Sequence, residues 1–132
     1  MKISKKSQYG LRAMVCLANE ESEFCSLRII SEKEKIPFSY LEKIFSKLEK
    51  SGLIDSKKGV QGGYALSKPT KKIKVGEIMR ALEEELVLVE CIGAKGVCSK
   101  EKSCKTIGLW KKLQESMEKT IDSITLYDLT KE

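Results

Sequence analysis

Apolar positions in this chain recur mostly every third or fourth residue, which predicts a mainly α-helical protein. Leu11, Met14, Val15 and Ala18 share one helical face, and either Ser4 or Ser7 can cap the helix that carries it. "NEESEFC" interrupts the pattern. Ser26 then caps a second, short helix with Leu27, Ile29 and Ile30 as its apolar residues. That helix ends before Ile36-Pro37, because the residue preceding a proline is pushed out of the α region. In "PFSYLEKIFSKLEKSG", Ser39 followed by Glu42 has the S-x-x-E form of a capping box, and Leu41, Ile44, Phe45 and Leu48 line one face. Gly52 suits the left-handed residue just past the helix end. Two helices joined by a turn of a few residues, over 26–51, form a helix-turn-helix.

The pattern changes in "LIDSKKGVQGGYALSKP". Leu53 and Ile54 open a strand, Gly59, Gly62 and Gly63 form a polar tip, and Tyr64, Ala65 and Leu66 return, with Pro69 closing a small β-hairpin. "VGEIMRALEEE" is a short helix with Ile78, Met79 and Leu82 inward. The next stretch holds Cys91, Cys98 and Cys104 with Gly93 and Gly96 between them, and reads as a loop. A long helix follows from Thr106 to about Leu126. Trp110, Leu113, Met117, Ile121 and Ile124 run along it at spacings of 3, 4, 4 and 3, longer than a small domain needs for its own closure. One compact domain results: residues 1–82 with the hairpin, a cysteine-bearing loop at 83–105, and a C-terminal dimerisation helix and tail at 106–132.

At 132 residues the chain can bury a modest core, covering roughly 68% of the unfolded surface. No run approaches the ~18 apolar residues that cross a bilayer, and the N-terminus is too polar for a secretory signal. The expected location is the cytoplasm, with no membrane partner. There thiols stay reduced, and five cysteines cannot all pair within one chain. Histidine is absent, which excludes histidine-based acid-base or nucleophilic catalysis, and no other convergent catalytic set is visible; the chain is not expected to be an enzyme. Aromatic residues, at 6%, are too few for a stacking platform for single strands.

The net charge of +6 is uneven. Residues 1–80 carry 17 Lys and Arg against 9 Asp and Glu, whereas 81–132 carry 8 against 10. Nine lysines and only two acids fall in 43–74, which points to a polyanion partner. A helix-turn-helix followed by a lysine-rich, glycine-tipped hairpin is a winged helix, whose second helix enters the DNA major groove. With Leu41, Ile44 and Leu48 packed down, Ser39, Tyr40, Glu42, Lys43, Ser46 and Lys47 lie on or near the outer face. Lysines there neutralise phosphates, while Ser39 and Glu42 can meet base edges, Glu42 as acceptor for a cytosine amino group. The glycines let backbone approach the sugar-phosphate chain beside Lys57 and Lys58.

Zinc sites pair ligands as C-x2-4-C and need four of them. Here the spacing is C-x6-C-x5-C, and on spacing alone an iron-sulfur cluster, reactive thiols and no role at all stand level. Cys16 falls among apolar positions and reads as core, and Cys25 is either a bystander or an oxidisable thiol.

"MKISKKSQYGLRAM", "FSYLEKIFSKLEKSGLI", "GVQGGYALSKP", "VGEIMRALE" and "LWKKLQESMEKTIDSITLYDL" together resemble the bacterial winged-helix regulators of the IscR, NsrR and CymR type, over essentially the whole chain. The resemblance implies a homodimeric transcription regulator on a partly palindromic double-stranded operator. It puts Ser39, Tyr40, Glu42, Lys43, Lys58, Gly59, Gln61 and Gly63 at DNA-contacting positions. It also puts Cys91, Cys98 and Cys104 on the ligands of an iron-sulfur cluster, a 2Fe–2S cluster in first place and a 4Fe–4S cluster in second. Two features depart from that pattern. The first cysteine gap is one residue longer, and the fourth ligand is unidentified, with Gln8, a carboxylate such as Glu101, a backbone group, water or a small thiol as candidates: Ile107 stands where IscR-like members carry histidine, and Gln8 where NsrR-like members carry an acid. The rival expectations are a cluster-free repressor controlled by a regulatory protein partner or by thiol oxidation, and a small redox carrier.

Overall fold

Ser4 starts the first helix. Its side chain accepts a hydrogen bond from the Ser7 N–H at 3.2 Å, and α1 runs over Lys5–Ala18. In the computed structural model, which describes residues 2–89, 92 and 105–132, this helix is the central post of the fold. Its inward face is Gly10, Ala13, Met14 and Leu17, with Ser7 and Cys16 also buried. That stripe is rotated from the one the sequence suggests: Leu11, Val15 and Ala18 are only half-buried. The reason is contact on several sides. Helices α2 (Leu27–Glu34), α3 (Phe38–Lys50), α4 (Val75–Leu82) and α6 (Leu126–Thr130) all pack on α1, so its small residues are the ones that must face in. At Gly10, a Cβ would overlap the Leu82 side chain of α4.

The helix-turn-helix forms as the spacing predicts, with two differences. Ser26 caps α2, accepting from the Ile29 N–H, but only Leu27 and Ile30 are buried, and Ile29 is exposed. Lys35 takes the left-handed conformation at φ 55° that turns the chain toward Pro37. The capping box of Ser39 and Glu42 does not form. Pro37, with φ at −54°, already sets the helical entry one step earlier, so α3 begins at Phe38 without a side-chain cap. Both side chains are thereby left on the exposed surface. Leu41, Ile44, Phe45 and Leu48 are all buried, and Gly52 turns left-handed at φ 78°.

Strands β1 (Ile54–Lys57) and β2 (Gly63–Leu66) pair antiparallel, Ile54 opposite Leu66 and Lys57 opposite Gly63. The hairpin is pinned near the start of β2 by Cys25, which exchanges two backbone hydrogen bonds with Tyr64, at 2.9 and 2.8 Å. The Phe45 and Tyr64 rings meet edge to face at 5.0 Å. Ile78, Met79 and Leu82 of α4 point inward as expected.

Helix α5 spans Ile107–Ser123 and stops before Leu126. Val75 donates to the Ile124 carbonyl at 2.9 Å and Leu126 to the Ile73 carbonyl at 2.8 Å. This pairing draws Ile124 and Thr125 into extended backbone. Thr125 and Asp128 then form the reciprocal cap of α6, and Leu126 enters the main core. Among the described residues, the one fully buried side chain of α5 is Ile121 near its C-terminal end, packed against Val75 and Met79. Among the described residues no helix is long and apolar enough to cross a membrane.

Candidate DNA-reading face and cysteine segment

Burial of the Leu41, Ile44, Phe45 and Leu48 face fixes which way α3 turns the rest of its residues. Ser39, Glu42, Lys43 and Ser46 are exposed, and Lys47 and Tyr40 are half-exposed. Tyr40 is braced from behind by Tyr9 of α1, edge to face at 5.3 Å, and Tyr9 in turn carries the Lys5 ammonium and the Arg12 guanidinium over its ring at 5.6 and 5.5 Å. A rigid aromatic pair therefore sets the position of the first turn of α3. A small notch between α1 and α3 is lined by Lys6, Ser39, Tyr40, Lys43, Ile44 and Lys47.

The hairpin presents Lys58, Gly59 and Gln61 on its exposed tip. Gly59 is at φ 113° with open space around it, while Gly62 closes the turn by donating to the Gly59 carbonyl at 3.0 Å. Val60 stands between them with its side chain wholly in solvent. Nothing in the local pattern singles it out, because one valine at a loop tip has no periodic partner. Gly63, which the resemblance puts at a DNA-contacting position, also has a structural role. It lies in β2 at φ 143°, and a Cβ there would overlap the Cys25 carbonyl. Its lack of a side chain is required by the pinning of the hairpin to Cys25.

Cys16 and Cys25 are buried. Burial pushes the Cys16 thiol up, and pushes Cys25 up to about 11 with help from the nearby Glu20 charge. Both thiols stay protonated near neutral pH and are packed among core residues. Cys91, Cys98, Cys104 and Glu101 lie outside the described residues. What borders them is fixed. Gln114 of α5 accepts from the Leu88 N–H at 2.9 Å and donates to the Leu86 carbonyl at 2.7 Å, and Thr106 begins α5. The two borders are thus tied to one helix, about 12 Å apart along its axis by the helical rise. Ile107 sits half-buried at the start of α5, and the Gln8 amide donates to the Ile3 carbonyl at 2.8 Å.

Two contacts that sequence reasoning missed connect these parts. Glu83, just past α4, accepts hydrogen bonds from the hydroxyls of Ser4 and Ser7, the latter at 2.7 Å. Burial pushes this carboxyl up, but the two serines outweigh it and hold Glu83 below the usual glutamate range. The partners are more than seventy residues apart, and nothing in the local pattern links them.

Comparison with known proteins agrees with this architecture. The profile of the Rrf2 family, described as iron-dependent transcriptional regulator, matches residues 3–132. The HTH-type transcriptional regulator IscR of Klebsiella pneumoniae (strain 342) is 39% identical over 130 residues, covering 98% of this chain and 79% of that protein. Among solved structures, CymR (YrzC), the global cysteine regulator of B. subtilis, superposes with a TM-score of 0.84 at 34% identity, covering 99% of this chain and 97% of that one. IscR of T. potens superposes at 0.80 with 38% identity, over 99% and 87%. These relatives are winged-helix transcription regulators and not enzymes. The chain belongs to the Rrf2 family of iron-dependent transcriptional regulators.

Proposed function

We propose that this protein is a cytoplasmic, homodimeric regulator that reads an operator through α3 and the hairpin wing and senses iron-sulfur status through Cys91, Cys98 and Cys104. The observation that carries the DNA reading is the division of α3: four apolar residues are buried, and Ser39, Glu42 and Lys43 face solvent, as Lys58 and Gln61 do on the wing. Lysines at such positions neutralise phosphates without reading sequence, whereas a carboxylate at a base edge discriminates. Lys58→Ala is expected to weaken binding to all duplexes and reduce the salt slope by about one. Glu42→Ala should instead relax preference at one base position. A uniform loss from both would refute the division of roles.

The donor set suits an iron-sulfur cluster in three of its four ligands. Three thiols fall in one segment, whereas the two remaining cysteines are kept protonated by burial. Among the described residues, no group of three or more histidine, cysteine, aspartate or glutamate side chains could hold a metal ion, so the described part of the chain offers no competing site. Ile107 has no donor atom, whereas Gln8, whose amide nitrogen donates to the Ile3 carbonyl, keeps its Oε1 as a candidate fourth ligand. Such a group, when bound, would supply a redox- and iron-responsive charge at the start of α5. What this chain contributes is the anchoring of the segment's borders by Gln114 and the Thr106 turn.

Support for the dimer comes from α5. Leu109 and Leu113 are exposed, Trp110 and Met117 are half-buried, and only Ile121 is fully packed. An apolar face of this length on a helix that joins the body at one end is well suited to a second copy. Two helix-turn-helix units so joined read half-sites about one DNA turn apart.

A further inference from the structure

The notch between α1 and α3 has a volume of about 260 Å³ and brings together three lysines from two helices: Lys6, Lys43 and Lys47. Lys6 and Lys47 line it from different helices, and the Lys6 ammonium pushes Lys47 below the usual lysine range. Surface lysines ordinarily separate, since their stems are flexible and repulsion is relieved by rotation. Here the site's other lining groups, the Ser39 and Tyr40 side chains, supply hydroxyl donors and no carboxylate. The nearest negative charges come from Glu83 and Glu84, which raise Lys47 only weakly. Glu83 is already committed to Ser4 and Ser7, and those two bonds hold the turn of α1 that carries Lys6. Glu84 borders a neighbouring hollow that Lys6 and Tyr40 also line.

We infer that this notch grips one backbone phosphate of the duplex, with Lys6 of α1 joining Lys43 and Lys47 of α3, and that Glu84 weakens the grip as a built-in counter-charge. The inference rests on the DNA-reading role of α3 and extends the interface to α1, a helix outside the helix-turn-helix and wing. A backbone phosphodiester, with its single negative charge, would relieve the lysine repulsion and accept from Ser39 and Tyr40. Glu83–Glu85 also open the segment that runs to Cys91 in the sequence.

The test uses a fluorescent duplex recovered by binding-site selection with the wild-type protein, titrated over a salt series. Lys6→Ala and Lys47→Ala should each weaken binding, and the double variant should lower the salt slope by about one, not two, because one phosphate is shared. Glu84→Gln should tighten binding. All are surface changes, and circular dichroism checks that each variant is folded. A double variant with wild-type affinity and slope, while Lys58→Ala lowers both, overturns the grip and leaves the wing reading standing. No effect from Lys58→Ala either would overturn the DNA face and the grip together. Saturable binding of inorganic phosphate that the double variant loses, with duplex binding unchanged, would overturn the grip by assigning the notch to a free anion.

Discussion

Arg80 and Asp122 meet through two parallel hydrogen bonds, Nη1 to Oδ1 at 2.7 Å and Nη2 to Oδ2 at 2.9 Å, and join α4 to the end of α5 that carries the buried Ile121. Gly76 makes this possible: a Cβ there would overlap the Asp122 carboxylate and crowd Arg80. The pair is partly exposed, and such pairs are worth about 0.2–1 kcal/mol after screening. Its value is directional, fixing how the long helix leaves the DNA-reading body.

Gly76→Ala therefore has different effects in two backgrounds. In the wild type it breaks the ion pair and offsets the roughly 1 kcal/mol that alanine gains over glycine in a helix. With Asp122→Ala already present, that gain should appear in full as increased stability to urea. Equal effects in both backgrounds would mean that Gly76 is not there for Asp122.

Acid should loosen the same region. Hydrogen bonds from Arg80 hold the Asp122 carboxyl below the usual aspartate range, the Thr125 N–H does so for Asp128, and the Lys74 N–H for Glu77. Folded pKa values below the unfolded ones mean that this stability is complete above about pH 4 and is lost as pH falls through the folded values. The urea midpoint should fall between pH 6 and pH 3, and by less in Glu83→Gln, which removes another depressed carboxyl. A midpoint unchanged across that range would contradict these assignments.

Much of this could be read from local patterns. Caps at Ser4 and Ser26, the buried set of α3, the left-handed Gly52 and the wing all follow from short-range rules of spacing and turn chemistry. The misreadings came where tertiary contact overrode a local preference. Ser39 looked like a cap until Pro37 took the entry, and α5 looked continuous through Ile124 until pairing with Val75 extended it. The rotated face of α1 has the same origin, since a helix packed on several sides buries its small residues first. Glu83 with Ser4 and Ser7, and Lys6 with Lys47, were invisible because their partners are distant in sequence and polar, outside any hydrophobic period.

The glycines of the wing separate structure from recognition. Gly63→Ala places a Cβ on the Cys25 carbonyl at a left-handed φ, and should destabilise the fold by about 2–3 kcal/mol. Gly59→Ala is strained in φ alone, with nothing near it, and should destabilise by about 1–2 kcal/mol. Thermal denaturation ranks the two, and a larger loss at Gly59 would contradict the pinning of β2 to Cys25.

Leu113→Glu places a charge on the exposed apolar face of α5, away from the packed Ile121 end. Sedimentation equilibrium should show the wild type as a dimer and this variant as a folded monomer. A variant that stays dimeric would move the dimer seam off this face.

The most direct test of the central claim is the iron and acid-labile sulfide content of the anaerobically purified protein, wild type beside Cys98→Ala. The account predicts a brown wild-type protein with iron matched by sulfide, and a colourless variant that has lost both. A colourless wild-type protein that still binds duplex DNA, or a Cys98→Ala protein with undiminished iron and sulfide, would contradict it.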